Sequence, residues 1–171
     1  MGAFLVRRLN PDDASAFQAL RLRGLLTDAT AFASSYEEEK DVALATIEAQ
    51  LMMAPERAVF GAFDGERLIG ILGLAREQKH KRRHKASIWG VYVVEQERGK
   101  GAARMLLAAA LSFAQTLPGL LQLNLTVNAD NSAAIRLYQL MGFKEFGREI
   151  GSLVVDGRTY DELHMCLSFG R

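Results

Sequence analysis

The stretch Ser87–Leu107, S-I-W-G-V-Y-V-V-E-Q-E-R-G-K-G-A-A-R-M-L-L, decides the fold that the sequence predicts. Its first part is rich in β-branched and aromatic residues, which favours a β-strand. Gly99 and Gly101 then predict a loop, and strong helix formers follow. A glycine loop at a helix N-terminus presents unpaired N–H groups and the positive end of the helix dipole. The stretch therefore predicts an anion site, usually for phosphate, beside the charges of Arg98 and Lys100.

Outward from this stretch, strands and helices alternate in the order β-α-α-β-β-β-α-β-α-β-β, which indicates an α/β domain with a mixed sheet. Asn10 and Asp41 are predicted to cap the first two helices, and Asp64-Gly65 and Asp156-Gly157 predict hairpin turns. The strand–helix–strand unit at Ser87–Val127 should form a right-handed parallel crossover. Helices are predicted at about 11–27, 42–54, 102–116 and 133–141, and strands at about 4–9, 58–63, 68–74, 88–94, 120–127, 144–155 and 158–168.

Length and composition predict one globular domain that spans residues 1–171. The chain has 21 Lys and Arg against 20 Asp and Glu, so its overall charge indicates neither a nucleic-acid partner nor a membrane surface. No run of about 18 apolar residues predicts a membrane span, and the first residues do not resemble a signal peptide. The single cysteine, Cys166, excludes an internal disulfide. We therefore expect a cytoplasmic location.

Two short patterns carry a resemblance to a known family. The first is Gln96-Glu97-Arg98-Gly99-Lys100-Gly101, and the second, about thirty residues later, is Asn131-x-x-Ala134-x-x-x-Tyr138-x-x-x-Gly142-Phe143. In both, the chain resembles the GCN5-related N-acetyltransferase (GNAT) superfamily, whose members move an acetyl group from acetyl-CoA to an amine. The resemblance covers essentially the whole chain. It implies a single-domain fold with a mixed, mostly antiparallel sheet, a splayed parallel strand pair and flanking helices.

Acetyl-CoA is the cosubstrate that this resemblance implies. Backbone N–H groups of the glycine loop would hold the pyrophosphate, and glycine lets the backbone approach it closely. A bulged strand would offer its main chain to the pantetheine arm and to the acetyl carbonyl. The alternative is a plain strand-to-helix turn that needs glycine. The cofactor-binding residues implied are Val91, Val93, Gln96, Arg98, Gly99, Lys100, Gly101, Ala102, Ala103 and Asn131.

Other phosphate loops fit the sequence poorly. A dinucleotide fingerprint would need glycine where Arg104 stands, and a Walker loop would need lysine where Ala102 stands. Asn131 has two readings, because an asparagine before a helix is also a natural N-cap.

Tyr138 is the catalytic residue that the resemblance implies, as the general acid that protonates the departing CoA thiolate. The alternative is that Tyr138 lies on an inward-facing stripe with Ala134, Leu137 and Met141 and is simply core. No acid stands on the strand 87–91, where family members often carry a glutamate as general base. Substitutes would be Glu37, Glu38, Asp161 or Glu162, or no base at all, and none is assigned.

The acceptor pocket of this fold would involve the loop 28–40 and the hairpin 147–160. Phe32, Tyr36 and the acidic run Glu37–Glu39 suit a cationic amine, although a solvated charge run is an equal alternative. The basic segment Lys79–Lys85 lacks interleaved aromatic residues, which favours a solvated hairpin over nucleic-acid binding. Cationic neighbours of His80 and His84 disfavour a metal site, and none is expected.

The sequence thus predicts an acetyl-CoA-dependent N-acetyltransferase in which a small amine or amino-acid-like metabolite attacks directly. A protein N-terminal or lysine acetyltransferase is the alternative acceptor class. A non-catalytic CoA-binding regulatory domain is the alternative of another kind. A homodimer is compatible with the resemblance, but no residue predicts its interface.

Overall fold

A seven-stranded sheet organises the computed structural model, which describes residues 3–170. The helices are α1 (Ala14–Thr27), α2 (Tyr36–Glu39), α3 (Leu44–Leu51), α4 (Ala102–Thr116) and α5 (Ser132–Leu140). The strands are β1 (Leu5–Arg8), β2 (Arg57–Asp64), β3 (Arg67–Arg76), β4 (Lys85–Val93), β5 (Gln122–Asn128), β6 (Lys144–Val155) and β7 (Arg158–Ser168). Their order in the sheet is β1-β2-β3-β4-β5-β7-β6, and only the β4–β5 pair is parallel. The mixed, mostly antiparallel sheet is confirmed.

The parallel pair opens after three residues. Lys85, Ala86 and Ser87 of β4 pair with Gln122, Leu123 and Asn124 of β5, and the strands then diverge. On the other side of β4, Ile71 of β3 pairs with Tyr92 and Gly73 pairs with Trp89, so two β4 residues oppose Leu72. That two-against-one register is a β-bulge, which bends the strand and re-aims its main chain. The predicted bulge and splay are both present.

Helices α1 and α4 cover opposite faces of the sheet. A Cβ added at Gly70 of β3, the partner of Val93, would lie 3.2 Å from Leu106 of α4. Tyr92, the next residue on β4, meets Gly24 of α1 instead. Successive side chains of a strand point to opposite faces, so the two helices bury the two sides of the same strands. Leu106, Leu107 and Ala110 of α4 have no exposed surface, which makes this helix the centre of the core.

The start of the first helix follows the prediction. The side chain of Asn10 accepts a hydrogen bond from the Asp12 N–H group at 2.9 Å, and the Asp13 carboxylate accepts one from the Asn10 N–H group at 2.8 Å. This reciprocal cap begins a 3₁₀ turn at Pro11 that continues into α1. Arg7 hydrogen-bonds Asp13 and so lowers the pKa of that carboxyl group. The cap, the ion pair and the helix start therefore support one another.

Two local predictions were wrong. Asp41 does not cap the second helix, because the chain forms α2 first, from a capping box of Ser35 and Glu38, and α3 begins only after Ala43. The first hairpin turns at Gly65 and Glu66 rather than at Asp64-Gly65, since Asp64 still pairs with Arg67 across the two strands. The second hairpin turns at residues 156–157 as predicted, between Val155 and Arg158.

Candidate active site

The diverging ends of β4 and β5 enclose a cleft of about 510 Å³. Its walls come from β4, the glycine loop, the first turn of α4, β5 and α5, together with Asp28 and Ala31 from the segment after α1. Eight of the ten predicted cofactor-binding residues and the predicted catalytic residue line it. They are Val91, Val93, Arg98, Gly99, Gly101, Ala102, Ala103, Asn131 and Tyr138.

At one end of the cleft, the glycine loop leaves a row of backbone donors free. Among the described residues, the N–H groups of residues 99–104 donate no hydrogen bond, and no side chain caps α4. Gly99 and Gly101 have φ angles of 75° and 93°, in the left-handed region that disfavours side chains. A Cβ at either residue would meet nothing within 4 Å. The loop is therefore an open cradle, and its unpaired donors suit a pyrophosphate.

The charged side chains of the loop point to other partners. Arg98 donates from Nε to the Val93 carbonyl at 2.9 Å and from Nη2 to Asp28 at 2.7 Å. Lys100 pairs with Glu97 at 2.9 Å. Neither Lys100 nor Gln96, which accepts from Arg23 at 3.0 Å, lines the cleft. The free donors of this loop are therefore its backbone N–H groups, while the side chains of Gln96, Arg98 and Lys100 already have protein partners.

The middle of the cleft is an unpaired strand edge. Beyond Ser87, β4 has no partner in β5, so main-chain groups on that edge face the cleft from Ile88 onward. Val91 lies within the bulge, next to Gly90 with its φ of 63°. The Val93 carbonyl already accepts from Arg98, so a ligand would have to share it. An extended ligand laid along this edge would find the hydrogen-bonding groups that a neighbouring strand normally takes.

Tyr138 of α5 also lines the cleft. Its side chain is only 6% exposed, and its ring meets Phe143 edge-on at a centroid distance of 6.0 Å. Burial raises the pKa of the phenol to about 12, because the charged form would lose its hydration. The hydroxyl has no hydrogen-bond partner among residues 3–170. Tyr138 thus shows both features weighed from the sequence: it is core, and it offers a protonated hydroxyl to the cleft.

The second motif explains how α5 is held. The Asn131 side chain accepts from the Ala134 N–H group at 3.2 Å, which caps the helix and leaves the amide nitrogen unused. After the helix, Gly142 takes a φ of 99° and the N–H of Phe143 returns to the Tyr138 carbonyl at 3.0 Å. That turn brings the Phe143 ring onto Tyr138. Asn131 thus caps the helix, as the alternative interpretation predicted. Among the described residues its amide nitrogen has no hydrogen-bond partner and is available to a ligand.

Carboxylates near the cleft are all paired. Asp28 binds Arg98, and Glu97 binds Arg67 at 2.8 Å as well as Lys100. The four substitutes weighed as general base lie outside the cleft lining. Glu37 pairs with Lys40, Glu38 accepts from the Ser35 N–H group, Asp161 pairs with Arg148 and Glu162 accepts from Ser152. In the described part of the chain, no unpaired carboxylate faces the reacting end.

Trp89 is a cleft residue to which the sequence assigned no role. Its indole lies over Gly73 of β3, where a Cβ would come within 2.1 Å of the ring. Its side chain is 38% exposed and lines both the cleft and a second cavity between α1, α3 and the sheet. The sequence contained a signal of this contact, because a glycine such as Gly73 in an otherwise apolar strand often marks the close approach of another group.

The basic segment and its two histidines form no binding site among the described residues. The segment Lys79–Lys85 is the exposed connection between β3 and β4, in which Arg82 pairs with Glu77 and Arg83 with Glu56. No group of three or more His, Cys, Asp or Glu residues within 3–170 could hold a metal ion. No helix in that range is long and apolar enough to cross a membrane.

Comparisons with known proteins agree with this geometry. A GNAT-family acetyltransferase structure from Streptococcus pneumoniae superposes with a TM-score of 0.88 and 25% identity, over 98% of this chain and 100% of that one. A structure from Salmonella typhimurium, solved with its cofactor acetyl-CoA, superposes with a TM-score of 0.79 over 97% and 94%. At 23% identity, that second likeness shows the fold alone.

Curated relatives match over shorter segments. Spermidine N(1)-acetyltransferase of Vibrio cholerae is 30% identical over 82 residues, which are 48% of this chain and 47% of that protein. The enzyme of the same name from Escherichia coli K12 is 25% identical over 112 residues, or 66% and 58%. The chain thus spans about half the length of these relatives. The family described as Acetyltransferase (GNAT) matches residues 22–143, which include the bulged strand, the glycine loop and Tyr138. The chain therefore belongs to the acetyltransferase (GNAT) family.

Proposed function

We propose that this protein is an N-acetyltransferase that takes an acetyl group from acetyl-CoA and passes it to a small primary amine by direct attack. The observation that carries the proposal is a single cleft with three matched parts. It has free N–H donors at residues 99–104, an unpaired strand edge at Ile88–Val93, and a protonated phenol at Tyr138. These three parts suit, respectively, the pyrophosphate, the extended arm and the thioester end of acetyl-CoA.

Acetyl-CoA supplies an acyl carbon activated by a good leaving group. The loop 99–104 would fix its pyrophosphate through backbone donors, whose positions do not depend on flexible side chains. Near the bulge, a β4 main-chain N–H group would donate to the acetyl oxygen and stabilise the negative charge that develops there. Val91 lies where the bulge re-aims the backbone, so its N–H group is our candidate donor.

Tyr138 would act as the general acid. Its raised pKa keeps the phenol protonated throughout the physiological range, so the hydroxyl can donate to the sulfur as the thiolate departs. The absence of a described partner leaves the hydroxyl free for this task. A phenol in a well-packed helix is also held in one orientation, because Phe143 and Gly142 fix the end of α5.

The amine would enter in its neutral form. Only an amine with a free lone pair can attack, and each described carboxylate of the cleft already binds a cation. We therefore assign no general base and propose that one proton is lost to solvent before attack, while the second leaves the nitrogen as the intermediate collapses and restores the Tyr138 hydroxyl.

A small amine is the acceptor class we favour. Two of the curated relatives are named for acetylation of spermidine, a small amine, and another is named as a putative phosphinothricin acetyltransferase, although these matches cover about half of each protein. The alternatives weighed from the sequence were a protein amine, as acceptor, and a regulatory domain without turnover. The free Tyr138 hydroxyl favours turnover. We retain a cytoplasmic location and a homodimer as proposals only.

The test is amine-dependent release of CoA thiol from acetyl-CoA, with the product followed by mass. Thiol release that rises with amine, together with an acetylated amine of the expected mass, would support the proposal. Acetyl-CoA binding without turnover on small amines or on peptides would support the regulatory alternative. Turnover on peptides alone would replace the small acceptor with a protein amine.

A further inference from the structure

The β4 bulge receives little support from the neighbouring strands. On one side, the pairing of β4 with β5 ends at Ser87. On the other side, the register with β3 shifts, so that Gly90 and Val91 together oppose Leu72. The proposed reaction nevertheless needs the Val91 N–H group in one direction, because a donor lowers the barrier only if it is already aimed at the developing charge. The bulge therefore depends on contacts from outside the sheet.

Arg21 of α1 lies against the two residues that precede Val91. A Cβ added at Gly90 would lie 3.0 Å from Nη1 of Arg21. The guanidinium carbon of Arg21 lies 5.5 Å from the centre of the Trp89 ring, a distance at which a cation and an aromatic ring attract each other. One side chain of α1 thus contacts β4 immediately before Val91.

The same face of α1 contacts the residue that follows Val91. Gly24, one turn beyond Arg21, permits this close approach, since a Cβ there would lie 3.1 Å from the Tyr92 ring. Another turn on, the Thr27 hydroxyl lies 3.0 Å from the Tyr92 hydroxyl, within hydrogen-bond distance. Positions three apart are neighbours on one face of a helix. A single face of α1 therefore supports β4 on both sides of the bulge.

Arg21 is itself held in one orientation. The Glu39 carboxylate of α2 accepts hydrogen bonds from Nε and Nη2 of Arg21 at 2.6 and 2.8 Å, and this two-bonded geometry fixes the plane of the guanidinium. Those hydrogen bonds also hold the pKa of Glu39 below its usual value, so the carboxylate stays charged. The Phe32 ring lies 5.4 Å from the guanidinium carbon. Through Arg21, the segment 32–39 is thus connected to the bulge.

The third nitrogen of Arg21 has no acceptor. Within residues 3–170, Nη1 is the one buried side-chain nitrogen or oxygen atom that lacks a hydrogen-bond partner. A buried charged donor without an acceptor is unfavourable for folding, and a catalytic role is one recognised reason for such a group. Since Nε and Nη2 face Glu39 while Nη1 faces Gly90, the positive side of the ion pair is turned towards the bulge.

We infer that Arg21 is a positioning residue for acetyl transfer. It fixes the bulge through Trp89 and Gly90, keeps the Val91 N–H group aimed at the acetyl oxygen, and adds positive potential where negative charge develops on that oxygen. The inference rests on the proposed function. Arg21 lies outside the lining of the cofactor cleft, so it acts through β4 rather than by contact with acetyl-CoA.

A double variant that lacks the ion pair tests this role. Arg21→Met keeps a long apolar side chain, and Glu39→Gln is added because the Glu39 carboxylate, whose side chain is only 23% exposed, would otherwise lose its cation. In this variant kcat should fall on the order of 10²-fold, as for loss of an oxyanion donor, with acetyl-CoA affinity near the wild-type value. Arg21→Lys alone should recover part of kcat, because it keeps the charge without the planar two-bonded geometry.

The ion pair of Arg7 and Asp13 provides the matched control. Both of its hydrogen bonds are 2.8 Å long, and the Arg7 guanidinium lies 4.4 Å from the centre of the Phe63 ring, but neither Arg7 nor Asp13 lines a cavity described above. Arg7→Met with Asp13→Asn should lower the melting temperature and leave kcat at the wild-type value. An equal fall of kcat in both double variants would overturn the inference, because loss of any such ion pair would then explain it.

Infrared spectroscopy of bound acetyl-CoA, labelled with ¹³C at the acetyl carbonyl, separates positioning from stability. A donor aimed at the thioester oxygen, with positive potential behind it, weakens the C=O bond and lowers its stretching frequency. With no amine present, the band should lie below that of free acetyl-CoA in the wild type and in the control variant. It should return towards the free value in the variant without Arg21 and Glu39. A band that is the same in all three proteins would overturn the inference.

The spectra and the rates together keep this inference distinct from the proposed function. A carbonyl shift that depends on Arg21, with no turnover on any amine or peptide, would contradict the acetyltransferase proposal and keep the positioning role. Turnover at the wild-type rate in the variant without Arg21 and Glu39 would overturn the positioning role and keep the acetyltransferase.

Discussion

The glycine loop at residues 99–101 and the acidic loop at residues 28–40 both read as binding sites in the sequence, yet the fold treats them differently. In the glycine loop, the backbone donors have no acceptor among the described residues. In the acidic loop, each member of the Glu37–Glu39 run is engaged: Glu37 with Lys40, Glu38 with Ser35 and Glu39 with Arg21. The two loops show that unpaired groups, rather than charged ones, mark a binding surface.

The physical reason is the cost of an unmade hydrogen bond. A polar group that loses water on folding must find a partner, and charged side chains are long enough to find one nearby. Backbone N–H groups at a helix N-terminus have no such freedom, because the helix itself leaves them without acceptors. The glycine loop therefore leaves its donors without protein acceptors, while the acidic loop spends its charges on protein partners, with Glu39 joining α2 to Arg21 of α1.

The largest expected effect is at Gly101. Gly101→Glu puts a side chain and a negative charge into the cradle, where a pyrophosphate would lie, and should abolish acetyl-CoA binding in a calorimetric titration. Gly65→Glu is the matched control: it has the same charge, a φ of 60° and open space around the Cβ, but it lies in a hairpin turn. The control should lose some stability, as any side chain does in left-handed backbone, and keep its affinity. Retained affinity in Gly101→Glu would remove the loop from the cofactor site.

The next effect is at Tyr138. Tyr138→Phe removes the hydroxyl and keeps the ring that packs on Phe143, so kcat should fall on the order of 10²-fold with acetyl-CoA affinity unchanged. Steady-state rates and a binding titration on the same preparation check both parts. The melting temperature should stay close to that of the wild type, because the hydroxyl has no partner to lose. A variant with full kcat would show that Tyr138 is core and nothing more.

The pH dependence of kcat/KM can be predicted because the described carboxylates of the cleft all have cationic partners. With no free carboxylate as base, kcat/KM should rise about tenfold per pH unit until the amine itself is deprotonated, near pH 10 for an alkyl amine. Tyr138 should add no fall below that pH, because its raised pKa of about 12 keeps the acid protonated there. The stability that this neutral phenol confers is present below pH 10 and is lost as the pH rises through 12. A rise that levels off near pH 6 would instead reveal a carboxylate or histidine base.

The smallest expected effect is in the acidic loop. Glu37 is 74% exposed at its side chain and, within residues 3–170, pairs only with Lys40, so Glu37→Gln should change acceptor KM less than about twofold and stability by less than about 1 kcal/mol. Steady-state kinetics and denaturant unfolding check the two values. A KM raised tenfold or more would show that the acidic run binds the amine, and the contrast between the loops would then fail.

Apart from α2, the order of helices and strands could be predicted from the sequence, because it depends on local signals. Helix Ala102–Thr116 and strands Lys144–Val155 and Arg158–Ser168 have the predicted bounds. The unpaired N–H groups depend only on where the helix begins, so the donors of the glycine loop could be predicted as well. Which charged side chains pair could not be predicted, since Arg98 meets Asp28 from 70 positions away. For the same reason, the cavity beside Arg21 was not predicted from the sequence, although the position of this arginine between the buried Phe17 and Gly24 of α1 was a signal.

The central claim is that the cleft between β4 and β5 holds acetyl-CoA, and a thermal-shift comparison tests it most directly. Ligands that bind only the folded state raise the melting temperature by mass action. We predict that acetyl-CoA and CoA, but not NAD or ATP, raise the melting temperature of the wild type and of Gly65→Glu, and that neither raises that of Gly101→Glu. A shift with NAD or ATP alone, or with none of the four ligands, would contradict the account.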